Sequence, residues 1–252
     1  ILANLAAAWY GHPSEKLIVI GVTGTNGKTT TVNLIAGILE EAGYKTGLTS
    51  TVKFKVAEKE WLNNLKMTMP GRFFLQRILY QMVKAGCQYA VIESSSEGVL
   101  QYRHLNLHYD VLVFTNLAPE HIERHGSFEN YKQAKLEYFR LLERLPHKKI
   151  QGQTVPKVIV ANAESGYAKD FLNFRVDKKY ELSFYKDSAQ IFPESEVLRP
   201  AEVKLSPTQG TFVLQGQKFA LPLIGPFNIE NALQAIAVAQ SQGLSLETCQ
   251  QA

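Results

Sequence analysis

The chain has 252 residues, 45% of them hydrophobic, with a formal net charge of +4 and two cysteines. That length holds one large domain or two small ones, and no apolar run reaches membrane-spanning length, which excludes a membrane partner. The mild positive balance suits an anionic small-molecule substrate, and without blocks of like charge or arginine–aromatic interleaving it excludes nucleic acid as a partner.

Residues 1–9 are apolar but lack a basic flank and a cleavage signal, so they do not read as a signal peptide. The chain starts with Ile1, which marks it as an expected piece of something longer. Cys87 and Cys249 are far apart and lack metal-ligand spacing. They fit a reducing cytosol, so the expected location is cytoplasmic.

The apolar run Leu17–Ile20 leads into Gly21-Val22-Thr23-Gly24-Thr25-Asn26-Gly27-Lys28-Thr29-Thr30-Thr31. Behind it Val32, Ile35, Leu39 and Ala42 recur at helical spacing, and Gly43 closes the helix. Strand, glycine loop, helix is the context of a phosphate-binding loop. Its glycines let backbone N–H groups face an anion at a helix N-terminus. Lys28 would reach the terminal phosphates and the Thr29 hydroxyl would sit on Mg²⁺. The common spacing asks for glycine at position 22, where this chain has Val22, so Gly21 and Gly24 frame a variant loop.

Lys45–Val56 reads as a short strand. Gly71–Ala85 reads as a helix with Phe74, Ile78 and Val83 on one side. Tyr89–Ile92 is a buried-type strand ending at Glu93, and Tyr109–Phe114 another ending at Thr115-Asn116. Ser127–Leu145 is a helix capped by Ser127, with Asn130 where a capping box prefers Glu. Val158–Ala161 is a strand ending at Asn162. Residues 180–224 read as antiparallel hairpins, and Glu230–Gln242 as the last helix. The fold class is therefore α/β: a mostly parallel phosphate-loop sheet flanked by helices, with a small appended antiparallel β region. In such folds ligands bind beyond the carboxyl ends of the strands.

Three polar clusters stand near those ends. Glu93 heads Glu93-Ser94-Ser95-Ser96-Glu97-Gly98 and could hold a hard cation touching phosphate oxygens, or be a solvated loop carboxylate. His121 and His125 lie in the segment Thr115–Gly126, as site residues or as structural histidines. Lys135 sits inside a helix, where a solvated lysine is the ordinary reading.

The loop Gly24-Thr25-Asn26-Gly27-Lys28-Thr29-Thr30 resembles the ATP loop of the Mur ligases, the amide-forming enzymes of peptidoglycan precursor synthesis. Trp9-Tyr10-Gly11-His12-Pro13-Ser14 resembles an element of the UDP-MurNAc-tripeptide synthetase branch. The resemblance continues through Glu93-x-Ser95-Ser96, Gln101-x-Arg103, Thr115-Asn116-Leu117, His121, His125-Gly126, Tyr131-x-x-Ala134-Lys135, Asn162-Ala163 and Gly225-x-Phe227-Asn228-x-x-Asn231. It implies transfer of the ATP γ-phosphoryl to a substrate carboxylate, then attack by an amino acid amine on the acyl phosphate. The implied partners are a UDP-MurNAc-peptide and an amino acid.

By resemblance, Gly24–Thr30, Asn228 and Asn231 bind ATP, with Asn228 at the adenine; helix capping is the alternative role of the two asparagines. Thr29 holds one Mg²⁺, and Glu93 and His121 hold a second. Lys135 is carbamylated by CO₂ and supports that second site, which requires a neutral amine and so a lowered lysine pKa. Lys28, His121 and Lys135 are the catalytic set. Thr68, Ser95, Gln101 and Arg103 touch the nucleotide-sugar peptide.

The chain departs from the family pattern on the substrate side. Ser-Ser-His is Ser95-Ser96-Glu97, Thr-Thr-Pro is Thr68-Met69-Pro70, Asp-His is Glu120-His121, and Asn-Ala-Asp is Asn162-Ala163-Glu164. The resemblance also implies residues 1–15 as an entry segment from an N-terminal domain and residues 16–252 as the central ATP-binding domain. A C-terminal amino-acid-binding domain is expected outside this chain. A sister poly-amino-acid ligase and a non-catalytic nucleotide-binding module are the alternatives.

Overall fold

The computed structural model describes residues 1–120, 122–184 and 190–252. The chain opens with helix α1 (Leu2–Trp9), a 3-10 turn (Pro13–Lys16), strand β1 (Ile18–Thr23) and helix α2 (Lys28–Glu41). Then come β2 (Thr46–Thr49), β3 (Lys53–Val56), β4 (Lys59–Leu62), α3 (Arg72–Lys84), β5 (Tyr89–Glu93) and α4 (Ser96–Leu100). The middle holds β6 (Val111–Phe114), α5 (Ile122–His125) and α6 (Phe128–Arg144). It continues with β7 (Lys149–Ile150), β8 (Gln153–Thr154), β9 (Val158–Asn162) and α7 (Ala168–Leu172). The last part holds β10 (Lys178–Leu182), β11 (Glu196–Leu198), β12 (Ala201–Leu205), β13 (Gly210–Leu214), β14 (Gln217–Leu221), α8 (Pro226–Ser241) and α9 (Leu246–Gln251).

Among the described residues nine strands form one sheet in the order β11-β10-β9-β6-β1-β5-β2-β3-β4. Pairing is parallel from β11 to β2, and β2-β3-β4 is antiparallel. The chain winds from β1 toward β2 on one side and later toward β6 and β9 on the other. The crevice where that direction changes lies at the carboxyl ends of β1, β5 and β6.

Alternating residues of each central strand feed two cores, because side chains alternate across a strand. Ile20, Val22, Val91, Val111 and Val113 pack with α2 and α8. Val19, Ala90, Ile92, Leu112 and Phe114 pack with α3 and α6. Both faces are covered, so the strands read as continuous apolar runs.

Several expectations need correction. Lys45–Val56 is not one strand: Ser50 breaks it, its hydroxyl accepting the N–H groups of Val52 (3.2 Å) and Lys53 (3.1 Å), and β3 and β4 form a hairpin beyond the break. The buried side of α3 is Leu75, Ile78, Leu79 and Met82, with Phe74 and Val83 only half-buried. The antiparallel region starts at Ala201 and not near 180, since β10 and β11 extend the parallel sheet. Lys179–Leu182 alternates charge and apolarity like an exposed hairpin strand. Glu181 is nevertheless buried, because its carboxylate accepts the N–H groups of Ile191 (2.8 Å) and Phe192 (2.9 Å).

Helix α8 begins four residues earlier than its periodicity suggests, with Pro226 in its first turn behind Gly225. Ser127 caps α6 as expected, accepting Asn130 N–H at 3.1 Å. The Asn130 amide donates back to the His125 carbonyl at 2.9 Å, a bond a glutamate could not make. At the opposite end of the sheet, buried Lys148 pairs with Asp110 at 2.5 Å and donates to the carbonyls of Ser14, Leu17 and His108. Residues 13–17 are thereby fastened to the sheet. Among the described residues no helix is long and apolar enough to cross a membrane.

Candidate functional site

The loop between β1 and α2 is built by close approaches that glycine alone permits. Gly27 has φ +84°, and a Cβ there would lie 2.3 Å from the Asn231 amide oxygen. A Cβ on Gly24 would lie 1.9 Å from Thr115 Oγ1. Gly21 does not frame the loop as expected. It sits inside β1, where its missing side chain makes room for the Tyr109 ring, and a Cβ would lie 2.5 Å from that ring. Val22, in place of the usual first glycine, is a fully buried strand residue.

The end of β6 holds the loop. Thr115 Oγ1 donates to Asn26 O at 2.6 Å, Thr25 N–H donates to Asn116 O at 2.9 Å, and Asn26 N–H donates to Asn116 Oδ1 at 2.9 Å. From α6, the Tyr131 hydroxyl shares a 3.1 Å hydrogen bond with the Thr25 hydroxyl. From α8, Asn231 Oδ1 accepts from Thr31 Oγ1 at 3.2 Å.

Two lysines turn onto the carbonyls of this loop. Lys28 Nζ donates to Thr25 O at 2.7 Å, and Lys135 Nζ donates to Gly24 O at 2.7 Å. Lys135 is 2% exposed and its Nζ stands 4.5 Å from the Tyr131 ring centre. Burial, and then the charge of Lys28, push the Lys135 ammonium well below its ordinary range, with Glu120 opposing. Burial also lowers Lys28, against the pull of Glu93 and Glu120. The ordinary reading of Lys135 as a solvated helix face is therefore excluded.

Glu93, at the carboxyl end of β5, is 2% exposed. Its Oε2 accepts from Thr29 Oγ1 at 2.9 Å and from Thr51 N–H at 2.8 Å, and its Oε1 accepts from Thr51 Oγ1 at 3.0 Å. These donors are all neutral. A buried carboxylate beside a threonine hydroxyl presents hard oxygens suited to a divalent cation that completes its shell with phosphate and water. Among the described residues no group of three or more His, Cys, Asp or Glu stands where it could hold a metal ion. His121, expected at the cation and among the catalytic residues, lies outside the described residues. Lys135 faces the Gly24 carbonyl here and, as an amine, presents a donor to it.

A second cluster adjoins the first. The Thr68 and Thr51 hydroxyls share a 2.9 Å bond. The Arg103 guanidinium donates to Met69 O and to Gln101 Oε1, and Arg72 donates to Gln101 O. Burial, and then the neighbouring Arg72, lower Arg103. Two guanidinium groups at one spot make an anion-seeking corner. Ser95 caps α4, its hydroxyl accepting Gly98 N–H at 3.2 Å. Asn228 donates to Ile224 O at 2.8 Å and accepts from Asn231 at 3.2 Å, and neither asparagine caps α8.

Three participants were not singled out from sequence: Thr51, Arg72 and Tyr131. Tyr131 stands within a quoted motif, so its place was legible even where its task was not. Thr51 and Arg72 carried no local signal, since threonine in a turn and arginine at a helix start are commonplace.

The chain is similar in sequence and fold to known proteins. The chain is 36% identical over 255 residues to the UDP-N-acetylmuramyl-tripeptide synthetase of Roseiflexus sp. (strain RS-1), a match covering 98% of this chain and 48% of that protein. It is 35% identical over 247 residues to the UDP-N-acetylmuramoyl-L-alanyl-D-glutamate–2,6-diaminopimelate ligase of Gloeobacter violaceus, covering 97% of this chain and 46% of that one. A solved structure of a ligase of that same name superposes with a TM-score of 0.75 at 28% identity, over 93% of this chain and 45% of the other. MurF from Acinetobacter baumannii shares the fold, with a TM-score of 0.69 at 21% identity, over 99% of this chain and 48% of that one. The chain spans about half the length of the curated relatives it matches. The family model described as the Mur ligase middle domain matches residues 22–239, so the chain belongs to that family.

Proposed function

We propose that this chain is the ATP-binding central unit of a ligase that adds an amino acid to a UDP-MurNAc-peptide in peptidoglycan precursor synthesis, in the cytoplasm. Residues 16–252 are that unit and residues 1–15 its entry segment, with the UDP end and the incoming amino acid handled by flanking domains. The observation that carries the reading is the convergence of Lys28, Thr29, Glu93 and Lys135 on one glycine loop at the carboxyl ends of β1 and β5.

In this reading the substrate carboxylate attacks the γ-phosphorus and ADP leaves. The amine then attacks the acyl carbon and inorganic phosphate leaves. The loop N–H groups and the α2 N-terminus bind the phosphates. Lys28 leaves the Thr25 carbonyl, its partner here, and offsets charge that grows on the transferring group. Thr29 and Glu93 would hold Mg²⁺, which when bound neutralises and orients the phosphate oxygens. Glu93 with His121, and Lys135 as its carbamate, would serve a second Mg²⁺. The burial that depresses Lys135 supplies the neutral amine that CO₂ requires. Asn228 lies toward the adenine, and Thr68, Ser95, Gln101 and Arg103 toward the nucleotide-sugar peptide.

Lys28→Ala tests the core of this reading. Titration with a fluorescent ATP analogue and Mg²⁺ should give at least tenfold weaker binding than the unsubstituted chain. Equal affinity in the two proteins would refute the phosphate-loop assignment.

A further inference from the structure

Glu93 is held from one side by a residue that belongs to none of the motifs. Both oxygens of its carboxylate meet Thr51, one through the backbone N–H at 2.8 Å and the other through the hydroxyl at 3.0 Å. The same Thr51 hydroxyl meets the Thr68 hydroxyl at 2.9 Å. Thr51 therefore joins the segment beside Arg103 to the carboxylate beside the glycine loop.

The turn that presents Thr51 is rigidly tied. Ser50 Oγ accepts from Val52 and Lys53, and Ser50 N–H donates to Lys53 O at 3.0 Å. Asn63 is 8% exposed, and its amide donates to both Ser50 O and Met67 O at 2.8 Å. One buried amide thus fixes the residue before Thr51 and the residue before Thr68 in a common frame. A side-chain amide spanning two carbonyls in this way holds both segments in register.

We infer that Thr51 is a positioning residue: it locks the rotation of the Glu93 carboxylate, so that Oε2 is held against the Thr29 hydroxyl, and it couples that orientation to the segment carrying Thr68. The inference rests on the proposed ATP and Mg²⁺ reading. A carboxylate bridged at both oxygens by one residue cannot turn without losing two bonds. Removing the hydroxyl frees one oxygen while the N–H bond stays.

The test is Mg²⁺-dependent binding of a fluorescent ATP analogue to the 252-residue chain, comparing the unsubstituted protein with Thr51→Val, Thr51→Ser, Thr68→Val and Lys28→Ala. Thr51→Val keeps shape and backbone but strips one donor from the buried Glu93 carboxylate, so the variant should keep the parent's circular dichroism spectrum and unfold at a somewhat lower urea concentration. The expected result is an approximately tenfold rise in the Mg²⁺ concentration for half-maximal binding, the size expected for one lost hydrogen bond to a charged group. Affinity at saturating Mg²⁺ should stay near the parent value. Thr51→Ser should restore the parent midpoint, and Thr68→Val should move it two- to threefold. If Thr51→Val stays within twofold of the parent while Lys28→Ala loses the nucleotide, the inference fails and the ATP reading stands. A shift in Thr51→Ser equal to that in Thr51→Val would also refute it, since the hydroxyl would then play no part. If the parent binds no nucleotide at any Mg²⁺ concentration, both fall.

Discussion

Gly27 and Gly43 form a matched pair. Each has φ +84°, but a Cβ on Gly43 meets nothing within 4 Å, whereas one on Gly27 would stand 2.3 Å from Asn231 Oδ1. Alanine at either site carries the left-handed backbone cost of about 1–2 kcal/mol. At Gly27 the methyl must also displace the Asn231 side chain, which is 3% exposed and cannot swing into solvent. That movement breaks its bonds with Thr31 and Asn228, both 3.2 Å. Two neutral hydrogen bonds add about 2 kcal/mol. Gly43→Ala should therefore cost about 1–2 kcal/mol, and Gly27→Ala about 3–4 kcal/mol. Urea unfolding followed by far-ultraviolet circular dichroism measures the difference, provided the denaturant slopes match. Nucleotide binding separates the two further: Gly43→Ala should keep it and Gly27→Ala should lose it. In the double variant Gly27→Ala/Asn231→Ala the two costs should fall short of additivity by about 1 kcal/mol or more, since the clash is gone. Equal unfolding midpoints for Gly27→Ala and Gly43→Ala would refute the claim that Asn231 seats the glycine loop.

Two further outcomes follow from buried lysines. Lys148→Met leaves Asp110 buried without its cation and frees three carbonyls, so it should cost about 3–5 kcal/mol in urea unfolding; a loss below 1 kcal/mol would show that the pair is dispensable. Lys135 is held below its ordinary value of 10.5 in the folded chain, so between its folded value and 10.5 the unfolded chain binds a proton that the folded chain does not. Stability should therefore rise with pH toward 10.5 in the parent, and rise less steeply in Lys135→Met. Parallel pH profiles for the two proteins would contradict a neutral buried amine.

The parallel sheet and the glycine loop were legible because their residue types have few other uses. Buried strands flanked by helices give unbroken apolar runs, and Gly27 and Gly24 stand where a side chain has no room. The proposed cation position was only half legible. Glu93 at a strand end pointed to it, but Thr51 did not, because its bond to Glu93 spans 42 residues and depends on a turn that the strand reading missed. Residues 180–182 were read with the antiparallel hairpins for a related reason. A charged residue in an alternating run signals a solvent face, unless backbone N–H groups from another segment satisfy it, and those came from residues 191 and 192.

The departures on the substrate side are also resolved by partners that sequence spacing hides. Glu97, where the family pattern has histidine, pairs with Arg124 of α5. Met69, where the pattern has threonine, is 1% exposed, with its sulfur 3.0 Å from the Tyr138 hydroxyl. A Cβ on Gly98 would lie 2.3 Å from that sulfur, so the glycine accommodates the thioether. A decayed site would leave such residues without partners, because an unpaired charge or an unfilled gap has nothing to maintain it. Here Glu97 and Met69 are each met by a neighbour of matching charge or shape. Tyr138 also donates to Ser95 O at 2.7 Å, so the cap of α4 is fixed by the same ring that covers Met69. The ring thus ties the altered residue to the segment after Glu93. A change of side chain at 69 acts on the cluster through Tyr138 and Gly98, while Thr68 keeps its separate route through Thr51 to the glycine loop.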